Sequence, residues 1–194
     1  MRWLTVIFAT ALCLGCADNT ELAKEAFNKT LANRDQASIK AIDEFPGGVV
    51  CAQYKVSDEW GMRKPGSKFI YVGAALDVEP SEEDWAVFCS ADQNAALYGL
   101  TGIDAGKLDS GTLETIRADF AKLDKEFIVN KPKDAKIGND PWGNTYIYEE
   151  PWYGGVKAVY KFITLGADGK PGGKDENADI GNWHLPYIDF VRSL

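Results

Sequence analysis

The chain has 194 residues, 45% of them hydrophobic, and a formal net charge of −8 at pH 7. This length is enough for one ordinary domain or two small ones. An acidic chain without a lysine and arginine cluster is not expected to bind nucleic acid or anionic headgroups through its surface.

The N-terminus has the pattern of an export signal. Met1 and Arg2 form a short positive region, and residues 4–14 form an apolar run that is too short for a permanent transmembrane helix. The run ends in LCLGC, where Gly15 followed by Cys16 resembles the lipobox of bacterial lipoproteins, although Cys13 stands where leucine is usual. We therefore expect residues 1–15 to be a lipoprotein signal peptide and Cys16 to carry lipid. A plain cleaved signal and a retained anchor are the alternatives.

The two remaining cysteines are predicted to form one disulfide. Cleavage of the signal removes Cys13, and lipid occupies Cys16, so Cys51 and Cys89 are left as a pair. An even remainder in an oxidising compartment indicates a disulfide, which contributes about 2–4 kcal/mol. A zinc site is disfavoured because His184 is the only histidine and neither cysteine has a CxxC neighbour.

Two units are predicted between the signal and residue 98. Residues 18–45 have helical character, which predicts a helical stalk or surface helix over residues 16–45. Pro46, Gly47 and Gly48 interrupt this helix. Residues 46–98 are predicted to form a small antiparallel β-rich unit pinned by the disulfide, with strands at residues 49–56, 68–74 and 85–89.

The second half of the chain is predicted to pack a helix on a sheet. Residues 99–111 are rich in glycine and aspartate and are predicted to be a linker or loop. Apolar residues then recur every three or four positions, which predicts an amphipathic helix over residues 112–127. Strands are expected at residues 146–149 and 158–164. The predicted fold class is α+β, with the helix-on-antiparallel-sheet domain in residues 112–194.

An acidic loop follows the last predicted strand. Residues 168–179 contain four Asp or Glu carboxylates, one Asn, three glycines and a proline. Calcium requires about 6–8 oxygen ligands, and glycines allow a loop to turn its carbonyl oxygens inward. An EF-hand is disfavoured because Lys170 and Gly172 occupy positions 3 and 5 of that motif. A solvated, glycine-rich turn without metal is the alternative.

Several motifs around this loop point to one family. They are KLDSG at residues 107–111, DPWGN at residues 140–144, LGADGKPGG at residues 165–173 and NADIGNW at residues 177–183. In this order the segment resembles the C-terminal domain of the G-type major pseudopilin of type II secretion systems. The resemblance implies a pseudopilin-like fold for this domain.

The resemblance also implies a calcium ion as cofactor, because the family binds one calcium ion in this loop. By position, the ligands would be the carboxylates of Asp168 and Asp175 and the carbonyl oxygen of Leu165. Asp179 matches the acidic residue of the family's ADI motif and would be either a ligand or a loop-capping acceptor.

The chain departs from the family at its N-terminus. Family members begin with a prepilin peptidase site and a long apolar helix, whereas this chain begins with the lipoprotein-like signal. We expect a non-enzymatic protein, lipid-anchored in the bacterial outer membrane on the periplasmic side or the cell surface, whose domain binds a protein partner. A peripheral accessory of a type II secretion or pilus system is the second hypothesis.

A carbohydrate-binding or hydrolytic envelope protein is the third hypothesis. No nucleophile motif, catalytic metal set or phosphate-binding loop supports it, so we predict no catalytic residue and no small-molecule substrate.

Overall fold

The computed structural model describes residues 18–30, 37–56, 67–129, 137–149 and 160–194. The predicted signal peptide and the predicted lipidation site at Cys16 lie outside the described residues. Within the described ranges, every helix is too short or too polar to span a bilayer.

The first half of the chain forms a four-stranded antiparallel sheet in the order β1-β2-β3-β4. Helix α1 packs on one face, where Ala23 and Phe27 are fully buried and the Phe27 ring stacks on Phe69 at 4.6 Å. The helix is therefore a surface helix seated on the sheet. The elements of this half are α1 (Asn19–Thr30), β1 (Ala37–Phe45), β2 (Val49–Val56), β3 (Ser67–Val72) and β4 (Ala75–Val78).

Helix α2 (Glu82–Phe88) lies on the opposite face of this sheet. Ser81 begins it with a capping box, in which the serine hydroxyl accepts a hydrogen bond from the Asp84 N–H at 3.0 Å. Cys89 follows the last residue of α2 and is bonded to Cys51 of β2, so the predicted disulfide is confirmed.

The second half packs a long helix on a three-stranded antiparallel sheet in the order β5-β6-β7. One side of the long helix is buried in the core, which confirms the predicted α+β fold and its helix-on-sheet arrangement. The elements are α3 (Gln93–Thr101), α4 (Ser110–Val129), β5 (Ile147–Glu149), β6 (Lys161–Thr164), β7 (Ile180–Gly181) and α5 (Leu185–Arg192). The buried α4 residues are Leu113, Ile116, Phe120, Leu123 and Phe127.

Two predictions about single elements were wrong. The helix predicted up to residue 45 ends at Thr30, and Ala37–Phe45 is strand β1. Residues 85–89 belong to helix α2 and its C-cap rather than to a strand, because a short apolar run does not distinguish a strand from a buried helix. The segment 99–111, predicted as a linker or loop, contains the end of α3 and then a loop in which Ile103 and Ala105 are fully buried.

Helices α2 and α3 connect the two sheets through a shared core. Val87 of α2, Leu97 of α3 and Ile103 lie in the same buried cluster as the apolar side of α4. Tyr187 of α5 donates a hydrogen bond from its hydroxyl to Asp84 Oδ1 at 2.7 Å. The acidic loop is thus attached to a structure that includes both halves of the chain.

Candidate functional site

The acidic loop connects two paired strands, β6 and β7. Thr164 of β6 is opposite Ile180 of β7, and the Ala167 N–H then donates a hydrogen bond to the Glu176 carbonyl oxygen at 2.8 Å. This hydrogen bond closes the neck of the loop. Asp168 directly follows Ala167 and Asp175 directly precedes Glu176, so both aspartates lie inside the loop.

Two glycines allow the two backbone segments of the loop to approach each other closely at this neck. Gly166 has φ 66°, and a Cβ atom there would lie 2.7 Å from the Glu176 carbonyl oxygen. Gly173 has φ 97°, and its Cβ atom would lie 2.2 Å from the Asn177 carbonyl oxygen. Only glycine fits such positive φ angles and close approaches without displacing backbone.

The predicted ligand residues differ in exposure and in hydrogen bonding. Asp168 is exposed, and its Oδ1 accepts a hydrogen bond from the Lys170 N–H at 3.0 Å. Asp179 is half-buried, and its Oδ2 accepts one from the Gly172 N–H at 2.8 Å, which is a loop-capping contact. Asp175 has φ 55°, and Leu165 is half-buried at the start of the loop.

Two carboxylate oxygens of this loop are buried without a hydrogen-bond partner. They are Oδ1 of Asp175 and Oδ1 of Asp179. Lys107 Nζ lies 3.7 Å from Asp175 Oδ1, which is beyond hydrogen-bond distance. Because an unpaired buried carboxylate oxygen is unfavourable, such atoms in a folded protein call for an ion or another donor. Carboxylate oxygens are ligands of the type that a hard cation such as calcium prefers.

Carboxylates alone do not complete a metal site here. Among the described residues, no group of three or more Asp, Glu, His or Cys side chains is arranged to hold a metal ion. A calcium ion in this loop would therefore also take backbone carbonyl oxygens, which calcium accepts readily. The prediction assigned such a carbonyl to Leu165.

A buried network that the sequence analysis did not identify fixes the start of the loop. Oδ1 of the buried Asp140 accepts hydrogen bonds from the Trp142 N–H at 3.1 Å and the Asn144 N–H at 2.8 Å. Thr164 donates its hydroxyl to Asp140 Oδ2 and accepts from the Gly166 N–H at 3.2 Å. The Asn144 amide also donates to the Gly166 carbonyl at 2.8 Å. The DPWGN motif was the available signal for this network.

The end of helix α3 supports the other side of the loop. Gly102 caps α3 with φ 77°, and its carbonyl oxygen accepts a hydrogen bond from the Asp175 N–H at 2.9 Å. A Cβ atom on Gly102 would lie 2.3 Å from the Gly173 carbonyl oxygen. The loop is therefore held between the DPWGN turn and the α3 terminus.

His184 has a structural role beside the loop. Its Nδ1 accepts a hydrogen bond from the Gly181 N–H at 3.1 Å, and burial lowers the pKa of His184 to about 4. The imidazole is thus neutral at physiological pH, with one ring nitrogen already engaged by the backbone.

Comparison with known proteins gives one family. The family model for "Type II secretion system (T2SS), protein G" matches residues 107–183. The chain is similar to type II secretion system core protein G of Pseudomonas aeruginosa, with 39% identity over 92 residues, covering 41% of this chain and 63% of that relative.

The relatives of the same name from two other bacteria are covered more fully. The Vibrio cholerae protein is 34% identical over 106 residues, covering 49% of this chain and 70% of the relative. The Xanthomonas campestris pv. campestris protein is 32% identical over 123 residues, covering 57% of this chain and 79% of the relative. The chain thus spans less than two thirds of the Pseudomonas relative but more of these two. No solved structure matches the chain.

Proposed function

Because the chain belongs to the family of type II secretion system protein G, we propose that it is a non-enzymatic, lipid-anchored envelope protein that binds a component of such a system. The observation that carries this proposal is the family match over residues 107–183, which include α4, the β5-β6-β7 sheet and the acidic loop. Lipid on Cys16 would hold the protein at the outer membrane, on its periplasmic side or at the cell surface.

A peripheral position in the secretion system is favoured over a position inside a filament of protein G subunits. The β1–β4 sheet and α1 precede the family-matched segment, and α2, α3 and α5 attach that sheet to the domain. The first sheet and these helices therefore cover part of the surface of the family-matched segment. A partner would therefore have to approach the family-matched segment from the side that the first sheet leaves open.

A non-enzymatic role is supported by the chemistry of the described residues. The only histidine of the chain, His184, uses Nδ1 to accept a backbone hydrogen bond. The buried carboxylate of Asp140 is engaged by backbone N–H groups and the Thr164 hydroxyl. These groups stabilise the loop and are not arranged around a nucleophile.

Within this function, we propose that the loop binds one calcium ion as a structural cofactor. The Asp168 and Asp175 carboxylates and the Leu165 carbonyl oxygen would hold it, with Asp179 either as a further ligand or as the loop-capping acceptor of the Gly172 N–H. Calcium binding would have to draw these groups together, because no three such side chains of the described residues are already arranged to hold a metal ion. The unpaired buried oxygens of Asp175 and Asp179 support this assignment. A bound calcium ion would neutralise the carboxylates and join the two sides of the loop, and ligand bound only to the folded state adds about 2.7 kcal/mol at a hundredfold excess over Kd.

Calcium removal tests this assignment. A chelator should lower the melting temperature of the wild-type protein, and Asp168→Ala combined with Asp175→Ala should abolish this response. Glu114→Ala combined with Asp124→Ala is the matched control, because both residues are exposed on α4 and the same charge is removed. This control should respond to chelator like the wild type. A wild-type melting curve that chelator leaves unchanged would reject the calcium site.

The anchor and the partner need separate experiments. Mass spectrometry of the mature protein should find acyl groups on an N-terminal Cys16, and Cys16→Ser should release the protein from the membrane fraction.

A photo-crosslinker at the exposed Lys122 of α4 should capture a pseudopilin or the secretin in intact cells. A crosslinker at Glu25 on α1, outside the family match, is the control position. Equal capture from both positions would contradict binding through the family-matched domain.

A further inference from the structure

A lysine outside the acidic loop lies directly against it. A cavity of about 490 Å³ separates the turn before α4 from the loop and is lined by Asp104, Lys107, Leu108 and residues 174–177. The Lys107 Nζ atom lies 3.0 Å from Asp104 Oδ2 and 3.7 Å from Asp175 Oδ1. The latter oxygen is one of the two that lack a hydrogen-bond partner.

Asp104 is a fixed anchor for this ammonium group. Its Oδ1 accepts hydrogen bonds from the Asn94 side-chain amide at 3.0 Å and the Gly106 N–H at 3.2 Å, which leaves Oδ2 to face Lys107. The Asn94 amide oxygen in turn accepts from the Ala105 N–H at 3.0 Å. The Asp104 side chain is 16% exposed and the Lys107 side chain 72%, so the carboxylate is held while the lysine can move.

We infer that Lys107 is a resident counter-ion of Asp175, which neutralises this carboxylate in the metal-free protein and competes with calcium for it. The inference rests on the calcium site proposed above. An ammonium group and a divalent cation repel each other when they share one carboxylate. On calcium binding, Lys107 withdraws from Asp175 and stays on Asp104. Lys107 therefore sets the calcium affinity of the loop without being a ligand.

Lys174 provides an internal comparison. It is adjacent to Asp175 in sequence and lines the same cavity. Its ammonium group, however, lies over the Tyr98 ring, 5.4 Å from the ring centroid. Removal of either lysine deletes one positive charge near the loop, but only Lys107 is within ion-pair distance of an Asp175 oxygen among the described residues.

The experiment measures calcium affinity by titration calorimetry and melting temperature in chelator for Lys107→Met and Lys174→Met. Lys107→Met should bind calcium on the order of threefold more tightly than the wild type, as expected for loss of a partly exposed ion pair. It should also melt at a lower temperature in chelator, because Asp104 and Asp175 then both lack their counter-ion. Lys174→Met should change both quantities less, and Lys107→Arg, which retains the charge, should resemble the wild type.

The possible failures are distinguishable. If the wild type binds calcium and Lys107→Met binds it no more tightly than Lys174→Met, the counter-ion role is overturned and the calcium site stands. If Lys107→Arg gains as much affinity as Lys107→Met, the charge is not the cause and the inference is also overturned. If the wild type binds no calcium, the calcium site fails, and this inference fails with it.

Discussion

Asp140 is a carboxylate buried away from water, and its hydrogen bonds link the DPWGN turn to the start of the acidic loop. A buried charged group is tolerated when its oxygens are well supplied with donors, and a partly satisfied network is costly. Two backbone N–H groups and the Thr164 hydroxyl supply them here. The position at which the loop leaves β6 is therefore set by side chains that were not predicted as ligands.

A valine at position 164 tests this network. Thr164→Val preserves shape and strand propensity but removes the donor to Asp140 and the acceptor for the Gly166 N–H. The buried carboxylate then lacks one partner, so we expect a loss of about 1–3 kcal/mol in the free energy of unfolding, measured by urea denaturation in chelator. Thr145→Val, at an exposed threonine, should change stability by less than about 0.5 kcal/mol. Similar losses in both variants would contradict a role for the network.

At the scale of elements, the end of α3 and the acidic loop hold each other in place. Gly102 donates its N–H to the Tyr98 carbonyl oxygen at 2.9 Å, which ends the helix, and its own carbonyl oxygen accepts from Asp175. The left-handed conformation of Gly102 makes this arrangement possible without a side chain between helix and loop. The helix terminus thereby determines where Asp175 lies.

An alanine at position 102 should therefore disturb both elements. Gly102→Ala forces a Cβ atom against the Gly173 carbonyl oxygen at a positive φ, so we expect a loss of about 2 kcal/mol in stability and a weaker calcium response in thermal melts. Gly99→Ala is the matched control, because Gly99 lies inside α3 with open space around it. That change should stabilise the protein by about 0.5–1 kcal/mol. If Gly102→Ala changed neither the stability nor the calcium response, the proposed mutual support of the α3 terminus and the acidic loop would be ruled out.

The sequence predicted some elements well for identifiable reasons. The α4 helix was predicted because five apolar residues lie on one side at helical spacing, and strand 49–56 because half of its residues are Val or Tyr. Strand β1 was missed because its pairing with β2 shifts between Ile39 and Ala41, which breaks the alternation of apolar residues. Helix α2 was missed because its apolar run is short, although Ser81 and Asp84 form a capping signal.

The candidate site was predictable only in part. The family resemblance supplied Leu165, Asp168, Asp175 and Asp179, since these residues are close together in sequence. The contacts of Asp140 with Thr164 and of Lys107 with Asp175 connect residues far apart in the chain. Such contacts depend on how β6, α4 and the α3 terminus pack, and no local pattern encodes that packing.

At the scale of the whole molecule, the Cys51–Cys89 disulfide attaches the first sheet to helices that belong to the second core. Cys51 lies in β2, and Cys89 follows α2, whose Val87 is buried with the residues of α4. Phe88 adds contacts to α5, with its ring centroid 5.6 Å from Tyr187 and 5.0 Å from Phe190. The bond therefore constrains both halves of the described chain.

Removal of the disulfide should destabilise both halves together. Cys51→Ala combined with Cys89→Ala should lower the free energy of unfolding by about 2–4 kcal/mol, because the unfolded chain gains entropy. Urea unfolding followed by tryptophan fluorescence and by circular dichroism should give coincident transitions. The wild type under reducing conditions is the control and should behave like the double variant. Two separate transitions, with the calcium-responsive one unshifted, would contradict a shared core.

The shared core has a practical consequence for recombinant fragments. The family-matched segment begins at residue 107, yet Val87, Leu97 and Ile103, which precede it, are almost completely buried in its interior. A truncated piece starting at that boundary would expose the surfaces that these three side chains cover and would be prone to aggregate. Cutting upstream of Ser81 would retain α2 and α3 but would separate Cys89 from Cys51 and uncover the α2 and α5 side chains that pack on the first sheet, so an expression fragment should include that sheet as well.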